Sequence, residues 1–285
     1  MIIYSNYSLK KFTSLSLDNV AKFIFEVTTY FEIYVLKYLF DYFNVDYLII
    51  GKGSKVIFKD EYIEKPIIVI SEKFEELYIS NDKVVVSSGY DNKKLILKLL
   101  NYNLGGFHFL YPLPASIGGM VYMNASDKFT CINDYVESIM IINENNNIEL
   151  LDNNACKFNY RDSIFKHRKC IIIYIKFKLK SIEKNVIIDE ISKSLMYRIN
   201  TQEICKSTCG SLFKNPSDNI KAYQLINGIK DDLESNDKVF LSSKHSNFLI
   251  NNGASTTQIL NFIKQIKKLV YQKYSILLSE EVNIL

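Results

Sequence analysis

Glycine and proline are scarce in this chain, at 10 and 4 of 285 residues. An average chain holds about 7% glycine and about 5% proline. Isoleucine, lysine, asparagine and tyrosine are plentiful instead, a bias of the kind codon usage produces. Glycines that persist under such a bias are expected where a Cβ cannot be accommodated. Four of the ten glycines and two of the four prolines fall within residues 105–126, GGFHFLYPLPASIGGMVYMNAS.

Cysteine is also sparse and odd in number: Cys131, Cys156, Cys170, Cys205 and Cys209. That excludes a disulfide framework and suits reduced thiols. Cys205 and Cys209 have no matching His or Cys pair elsewhere, so no metal site is expected. No apolar run reaches the roughly 18 residues needed to span a bilayer. The opening MIIYSNYSLKKF has no charged start followed by an apolar core, so no signal peptide is read and a cytoplasmic protein is expected. The net charge of +4 is spread without a basic block, which argues against nucleic acid and membrane surfaces as partners.

What is present is a soluble, globular composition, 48% hydrophobic and 23% charged, long enough for two or three domains. Strand and helix patterns alternate at first. FIFEV (23–27) reads as a strand, 31–43 as a helix with an apolar face, and DYLII (46–50) as a strand running into GKGSK (51–55). IIVIS (67–71) and KVVVSSG (83–89) follow as strands, then a short helix near 93–100. After the glycine-rich stretch, YVESIMII and NIELL read as a hairpin about an Asn-rich turn, and CIIIYIKFKLK (170–180) as a strand with one wet face. A helix begins near Ile187. Further on, KVFLS and NFLIN are short strands. Ser255 caps a helix with Ile259, Leu260, Ile263, Ile266, Leu269 and Val270 on one face. The pattern is α+β.

Five segments carry polar or glycine-rich chemistry. Gly51-Lys52-Gly53-Ser54 follows a strand, where its N–H groups could approach a phosphate or simply make a tight turn. Pro114-Ala115-Ser116-Ile117-Gly118-Gly119, leading to Asn124-Ala125, suits a flat group lying against the main chain. In Phe158-Asn159-Tyr160-Arg161-Asp162-Ser163 a guanidinium set among aromatic residues suits a carboxylate or phosphate, or a pairing with Asp162. Cys209-Gly210-Ser211-Leu212-Phe213-Lys214-Asn215-Pro216 offers a hydroxyl for proton transfer beside groups that hold an anion; its alternative role is a helix-entry loop. His108, His167 and His245 are read as structural.

Together and in this order, from about Ser14 to Leu285, these segments resemble the UDP-N-acetylenolpyruvoylglucosamine reductases (MurB). The segments that carry the resemblance are GKGSK, LPASIGGMVYMNAS, YRDS, GSLFKNP, SSKHSNF and EEV. The resemblance implies an FAD-binding fold of the vanillyl-alcohol oxidase (PCMH) type over residues 1–185, in two subdomains of about 1–76 and 77–185. A smaller α+β substrate-binding domain would follow over 186–285, with its tail returning to the active site. It implies that NADPH reduces FAD, and that the enolpyruvyl group of a UDP-sugar is then reduced to give UDP-N-acetylmuramate for peptidoglycan synthesis. A monomer is expected.

By motif match, Ser211 takes the place of the proton donor. Arg161 and Glu281 take the places of the groups that stabilise the enol intermediate. Glu281 would have to be protonated, or share a proton, to assist an anion. Gly51, Gly53, Ser54, Lys55, Ser116, Gly118, Gly119 and Asn124 fall to the cofactor, and Tyr160, Lys214 and Asn215 to the substrate.

The sequence departs from the family pattern on the cofactor side. Leu17-Asp18-Asn19-Val20-Ala21 stands for Val-Gly-Gly-Pro-Ala, Lys55 for Asn, Pro112-Leu113-Pro114-Ala115 for Gly-Ile-Pro-Gly, and Ser126-Asp127-Lys128-Phe129 for Gly-Ala-Tyr-Gly. Lys55 is expected to add a charge contact to the cofactor pyrophosphate. The short interval from Arg161 to Ser211 resembles the compact subtype, which lacks a substrate-covering loop. Two alternatives stand beside the reductase: another FAD oxidoreductase of the same fold, and a drifted, non-catalytic relative.

Overall fold

The computed structural model describes residues 1–127, 130–234 and 236–285, so the departures at Lys128 and Phe129 lie outside the described residues. The chain is α+β, as expected, and divides into two compact units. The first holds Met1–Tyr4, Ile24–Lys52 and Lys65–Met196; the second holds Ser5–Phe23, Gly53–Glu64 and Tyr197–Leu285. The division at 196/197 falls within a helix, and two early segments belong to the unit that contains the C-terminal third.

The first unit opens with a parallel sheet. Strand Ile67–Ile70 pairs on one side with Ile24 to Val27 and on the other with Leu48–Ile50. All four residues of IIVI are buried, the continuous apolar run of a strand covered on both faces. Helix α1 (Tyr30–Tyr42) is capped by Thr29, whose hydroxyl accepts from the Glu32 amide at 3.2 Å. It buries Ile33 and Leu36 in a core with Val27, Ile68 and Phe74.

An antiparallel sheet follows, in the spatial order Ile148–Asp152, Val136–Ile142, Ile171–Lys178, Lys83–Ser87 and Leu77–Ser80. Its hairpin closes Ile142 against Ile148. Asn143 Oδ1 accepts from the amides of Asn145 and Asn147, at 3.0 Å each, and Asn146 takes φ +61°, so the Asn-rich turn has a mechanism. Helix α2 (Asn92–Leu99), capped by Asp91, and helix α3 (Ile117–Tyr122), capped by Ser116, pack in the second core of this unit. Helix α4 (Lys184–Thr201) begins where the change of pattern near Ile187 placed it, and buries Ile187 and Ile191.

In the second unit, strands Val239–Leu241 and Leu249–Asn251 pair antiparallel. Helix α5 (Ala222–Asn227) and helix α6 (Thr256–Tyr274) complete its core. Ser255 and Gln258 form a reciprocal capping box at the start of α6. Ile259, Ile263, Ile266 and Val270 are buried; each contributes about 1.5–3 kcal/mol relative to exposure. The early segments are stitched in by polar side chains. Asn19 Nδ2 donates to Asp60 O and Thr256 Oγ1, both at 2.7 Å, and Asn251 Nδ2 donates to Leu15 O at 2.8 Å. Asn19, which replaces a family glycine, thus holds three segments of the unit together. The tail Asn283–Ile284 runs parallel to Val56–Ile57.

Candidate active site

In the first unit the glycine segments meet. A Cβ on Gly51 would lie 2.5 Å from Ser116 Oγ, so the turn after strand Leu48–Ile50 touches the cap of α3, and a side chain here would have to displace that hydroxyl. Ser116 Oγ accepts from the Gly119 amide at 3.3 Å. A Cβ on Gly118 would lie 2.7 Å from Ser88 Cβ and 3.0 Å from Ser88 O. Chain packing therefore explains the glycine at 118. Around Gly119 a Cβ would meet only Ser116 Oγ, at 3.3 Å, leaving room for an outside group. Lys52, between the two glycines of the turn, pairs with Asp91 at 2.5 Å and Glu72 at 3.1 Å.

Asn124 adopts φ +43° and donates from Nδ2 to Asn159 O at 3.0 Å. Asn159 and Asp162 exchange backbone bonds at 3.1 Å, so Tyr160 and Arg161 form the tip of a two-residue turn. Arg161 holds φ +53°, a left-handed conformation uncommon outside glycine and more often found at functional positions. Its Nη1 donates to Ser126 Oγ at 2.5 Å and its Nη2 to Ser126 O at 3.2 Å. Its guanidinium lies 5.5 Å from the Tyr160 ring centroid. Asp162 pairs with His167 at 3.0 Å.

The residues of this unit fit a large polar cofactor. Asn124 Oδ1 and Ser88 Oγ are buried with no hydrogen-bond partner, which is costly unless a further group satisfies them. They flank the α3 glycines in sequence and contact, and Gly119 presents the open backbone described above.

In the second unit Gly53 adopts φ +61°, and a Cβ there would lie 2.0 Å from Phe12 O; Ser14 N donates to Gly53 O at 3.3 Å. Half-buried Ser54 completes the turn. Lys55 follows the turn and sends its ammonium to two groups far along the chain. Nζ donates to Ser211 O at 2.7 Å and lies 2.8 Å from Glu281 Oε1.

Ser211 and Glu281 are brought together by three short segments. Ser211 bridges Phe248, and Phe213 bridges Glu280. Leu212 N donates to Asn247 O at 2.9 Å, and Glu281 N to Leu212 O at 2.7 Å. Gly210 turns at φ +70°. Glu281 is buried and Ser211 half-buried.

Lys214 N donates to Ser279 O at 2.9 Å, and Asn215 Oδ1 accepts from Ala222 N at 3.1 Å, so Asn215 also caps α5. His245 is structural here. Its Nδ1 accepts from Asn247 N at 3.3 Å, and its ring packs on Phe248 and Tyr223 with centroids 4.6 and 5.5 Å away. Burial depresses its pKa; Glu281 opposes that shift and Lys55 adds to it. Cys209 is fully buried and burial raises its thiol pKa to about 11, whereas Cys205 is exposed. Among the described residues no cluster of metal-ligating side chains occurs, and no helix is long and apolar enough to cross a membrane.

Two residues of this cluster escape the sequence reading. One is Lys55 as the partner of Glu281. The other is Asn247, buried, whose amide holds both the N–H and the C=O of Phe213. Asn247 lies inside SSKHSNF, so its position was visible although its task was not. For Lys55 the only signal was a charge in a glycine turn.

These features define an α+β protein with a glycine-lined bed in one unit and, in the other, the Lys55 ammonium bound to the Ser211 main chain and the Glu281 carboxylate. The fold matches the solved UDP-N-acetylenolpyruvylglucosamine reductase (MurB) of Thermus caldophilus, with TM-score 0.79 and 22% identity over 99% of this chain and 98% of that one. Residues 202–285 match the family of the UDP-N-acetylenolpyruvoylglucosamine reductase C-terminal domain. The UDP-N-acetylenolpyruvoylglucosamine reductase of Prochlorococcus marinus is 32% identical over 98% of this chain and 96% of its own length. That of Anoxybacillus flavithermus is 34% identical over 85% of this chain and 80% of its own. The chain belongs to the UDP-N-acetylenolpyruvoylglucosamine reductase family.

Proposed function

We propose that this chain reduces the enolpyruvyl group of UDP-N-acetylglucosamine enolpyruvate, giving UDP-N-acetylmuramate. FAD, when bound, supplies the hydride that it takes from NADPH. Gly51, Gly53, Ser54, Ser116, Gly118, Gly119 and Asn124 hold the cofactor. Tyr160, Lys214 and Asn215 contact the UDP-sugar. On this reading the first unit serves mainly the flavin and the second the sugar nucleotide.

Hydride addition beside a carboxylate loads that carboxylate with negative charge. Groups already aimed at the charge lower the barrier without reorganising at the moment of reaction. Arg161, locked by Ser126 in a left-handed turn, is the fixed cation. The Ser211 hydroxyl delivers the proton that completes the reduction, a role worth about 10²–10⁴ in rate. Glu281 works beside it on the substrate carboxyl.

The observation that carries the reading is the gathering of Ser211 and Glu281 around one ammonium, in a chain of this family. The test is anaerobic. Purified protein with FAD should be bleached by NADPH, and its colour should return on adding the enolpyruvyl sugar nucleotide, with one UDP-N-acetylmuramate formed per flavin reoxidised. A protein that takes up no FAD would instead be the drifted relative. Flavin that NADPH reduces but the sugar nucleotide leaves reduced would point to another oxidoreductase.

A further inference from the structure

Lys55 is the residue that the established pattern leaves without a task. It stands where the family carries asparagine, at the end of the glycine turn and directly before strand Val56–Ile57. An ammonium there has a reach that an asparagine lacks. Its Nζ crosses the Gly210 turn so closely that a Cβ on Gly210 would lie 3.4 Å away. Beyond the turn it meets the Ser211 carbonyl at 2.7 Å and Glu281 Oε1 at 2.8 Å. The two groups it joins lie 156 and 226 residues further along the chain, as the numbering gives (211 − 55 and 281 − 55).

The main chain of the same residue holds the same tail. Lys55 O accepts from Asn283 N at 2.8 Å and from Asn283 Nδ2 at 3.2 Å. Lys55 therefore grips the 281–283 segment from two directions, by carbonyl and by ammonium. The site is sheltered, with side-chain exposure of 24% for Lys55 and 8% for Glu281. At such burial a lone carboxylate is costly, and an ion pair that is also hydrogen-bonded offsets that cost. Among the described residues, His245 and Cys209 both feel Lys55 and Glu281.

We propose that Lys55 is a positioning residue for the proton-delivery step: its ammonium fixes the Ser211 main chain and holds Glu281 in a neutral, hydrogen-bonded pair. The proposal rests on the functional reading above, in which Ser211 and Glu281 are the working groups. Two consequences follow. The Ser211 main chain is held in place because its own carbonyl is tethered. The incoming substrate carboxylate meets no net negative charge from Glu281, because the ammonium cancels it.

Lys55→Met keeps the aliphatic stem and removes the charge, and Lys55→Arg keeps the charge. Both are compared with wild type by anaerobic stopped flow, with circular dichroism to confirm folding. In K55M, flavin content and the rate of flavin reduction by NADPH should stay within about twofold of wild type, while reoxidation by the sugar nucleotide falls about 10- to 100-fold. K55R should recover most of that loss. In a double-mutant cycle, K55M added to Glu281→Gln should cost less than about threefold beyond E281Q alone, because one residue acts through the other.

Reoxidation of K55M at the wild-type rate would overturn the proposal, as would full additivity with E281Q. Loss of flavin with normal reoxidation of what remains would place Lys55 on the cofactor instead. If K55M does not fold, Lys55→Gln carries the same comparison and the same outcomes. Wild-type protein whose NADPH-reduced flavin is left reduced by the sugar nucleotide overturns the functional reading itself, a result distinct from any outcome of the variants.

Discussion

The side-chain amide of Asn247 closes on the main chain of Phe213 from both sides: Oδ1 accepts the Phe213 N–H at 3.1 Å, and Nδ2 donates to the Phe213 carbonyl at 2.8 Å. Phe213 is buried and unavailable to water, so the amide replaces a strand partner for the residue two places beyond Ser211. Asn247→Leu keeps the volume and strands both backbone groups. It is expected to lower the unfolding free energy by about 2–4 kcal/mol, read as a lower urea midpoint. Asn247→Asp, which keeps the acceptor but not the donor, should cost roughly half as much.

Ser211→Ala separates the two half-reactions. The flavin should still be reduced by NADPH at about the wild-type rate, because no proton from Ser211 enters that half. Reoxidation by the enolpyruvyl sugar nucleotide should slow by about 10²–10⁴. Rapid-mixing absorbance at the flavin band resolves both. Equal loss of both halves would remove Ser211 from the role given to it.

The adjacent glycines of α3 should respond differently to the same change. Gly118→Ala drives a Cβ into Ser88 and should cost about 1–3 kcal/mol of stability whether or not flavin is present. Gly119→Ala meets only one movable hydroxyl and should change stability by less than about 1 kcal/mol. Because its new methyl enters the open side, it should weaken FAD binding about tenfold or more, a difference of about 1.4 kcal/mol. Thermal unfolding of apoprotein and flavin titration make the comparison.

His245 ties stability to pH. Burial lowers its pKa in the folded chain, so the unfolded chain binds the proton more readily. Stability is then full above the unfolded value of about 6.5, declines as pH falls through it, and levels off below the folded value. His245→Phe, which keeps an aromatic ring against Phe248 and Tyr223, should flatten the decline in urea midpoint between about pH 7 and about pH 5. An unchanged slope would mean that carboxylates alone cause it.

Much of the fold could be read from local chemistry. Ser255 and an apolar face announced α6, and an Asn cluster between two apolar runs announced the 136–152 hairpin. The ordered motifs also singled out Ser211, Arg161 and Glu281 as candidates. Contacts without a periodic trace were hidden. Strand Val56–Ile57 is two residues long, and its partner Asn283–Ile284 lies more than two hundred residues away; no window of sequence links them. Burial of Glu281 was foreseeable, but its partner was not, because the reach of Lys55 depends on where Gly210 turns. Gly118 and Gly53 looked like cofactor positions, and their nearest neighbours are Ser88 and Phe12. A glycine marks a close approach without saying to what.

Because the second unit is assembled from residues 5–23, 53–64 and 197–285, its early pieces leave the ribosome long before their partners exist. Their contacts with residues 197–285 must wait while some 130 residues (65–196) of the other unit are synthesised, and non-local closure of this kind slows folding and prolongs exposure to aggregation. A fragment cut at residue 197 would lack the strand on which its own tail is laid down, so neither half of this gene product is a natural unit for expression.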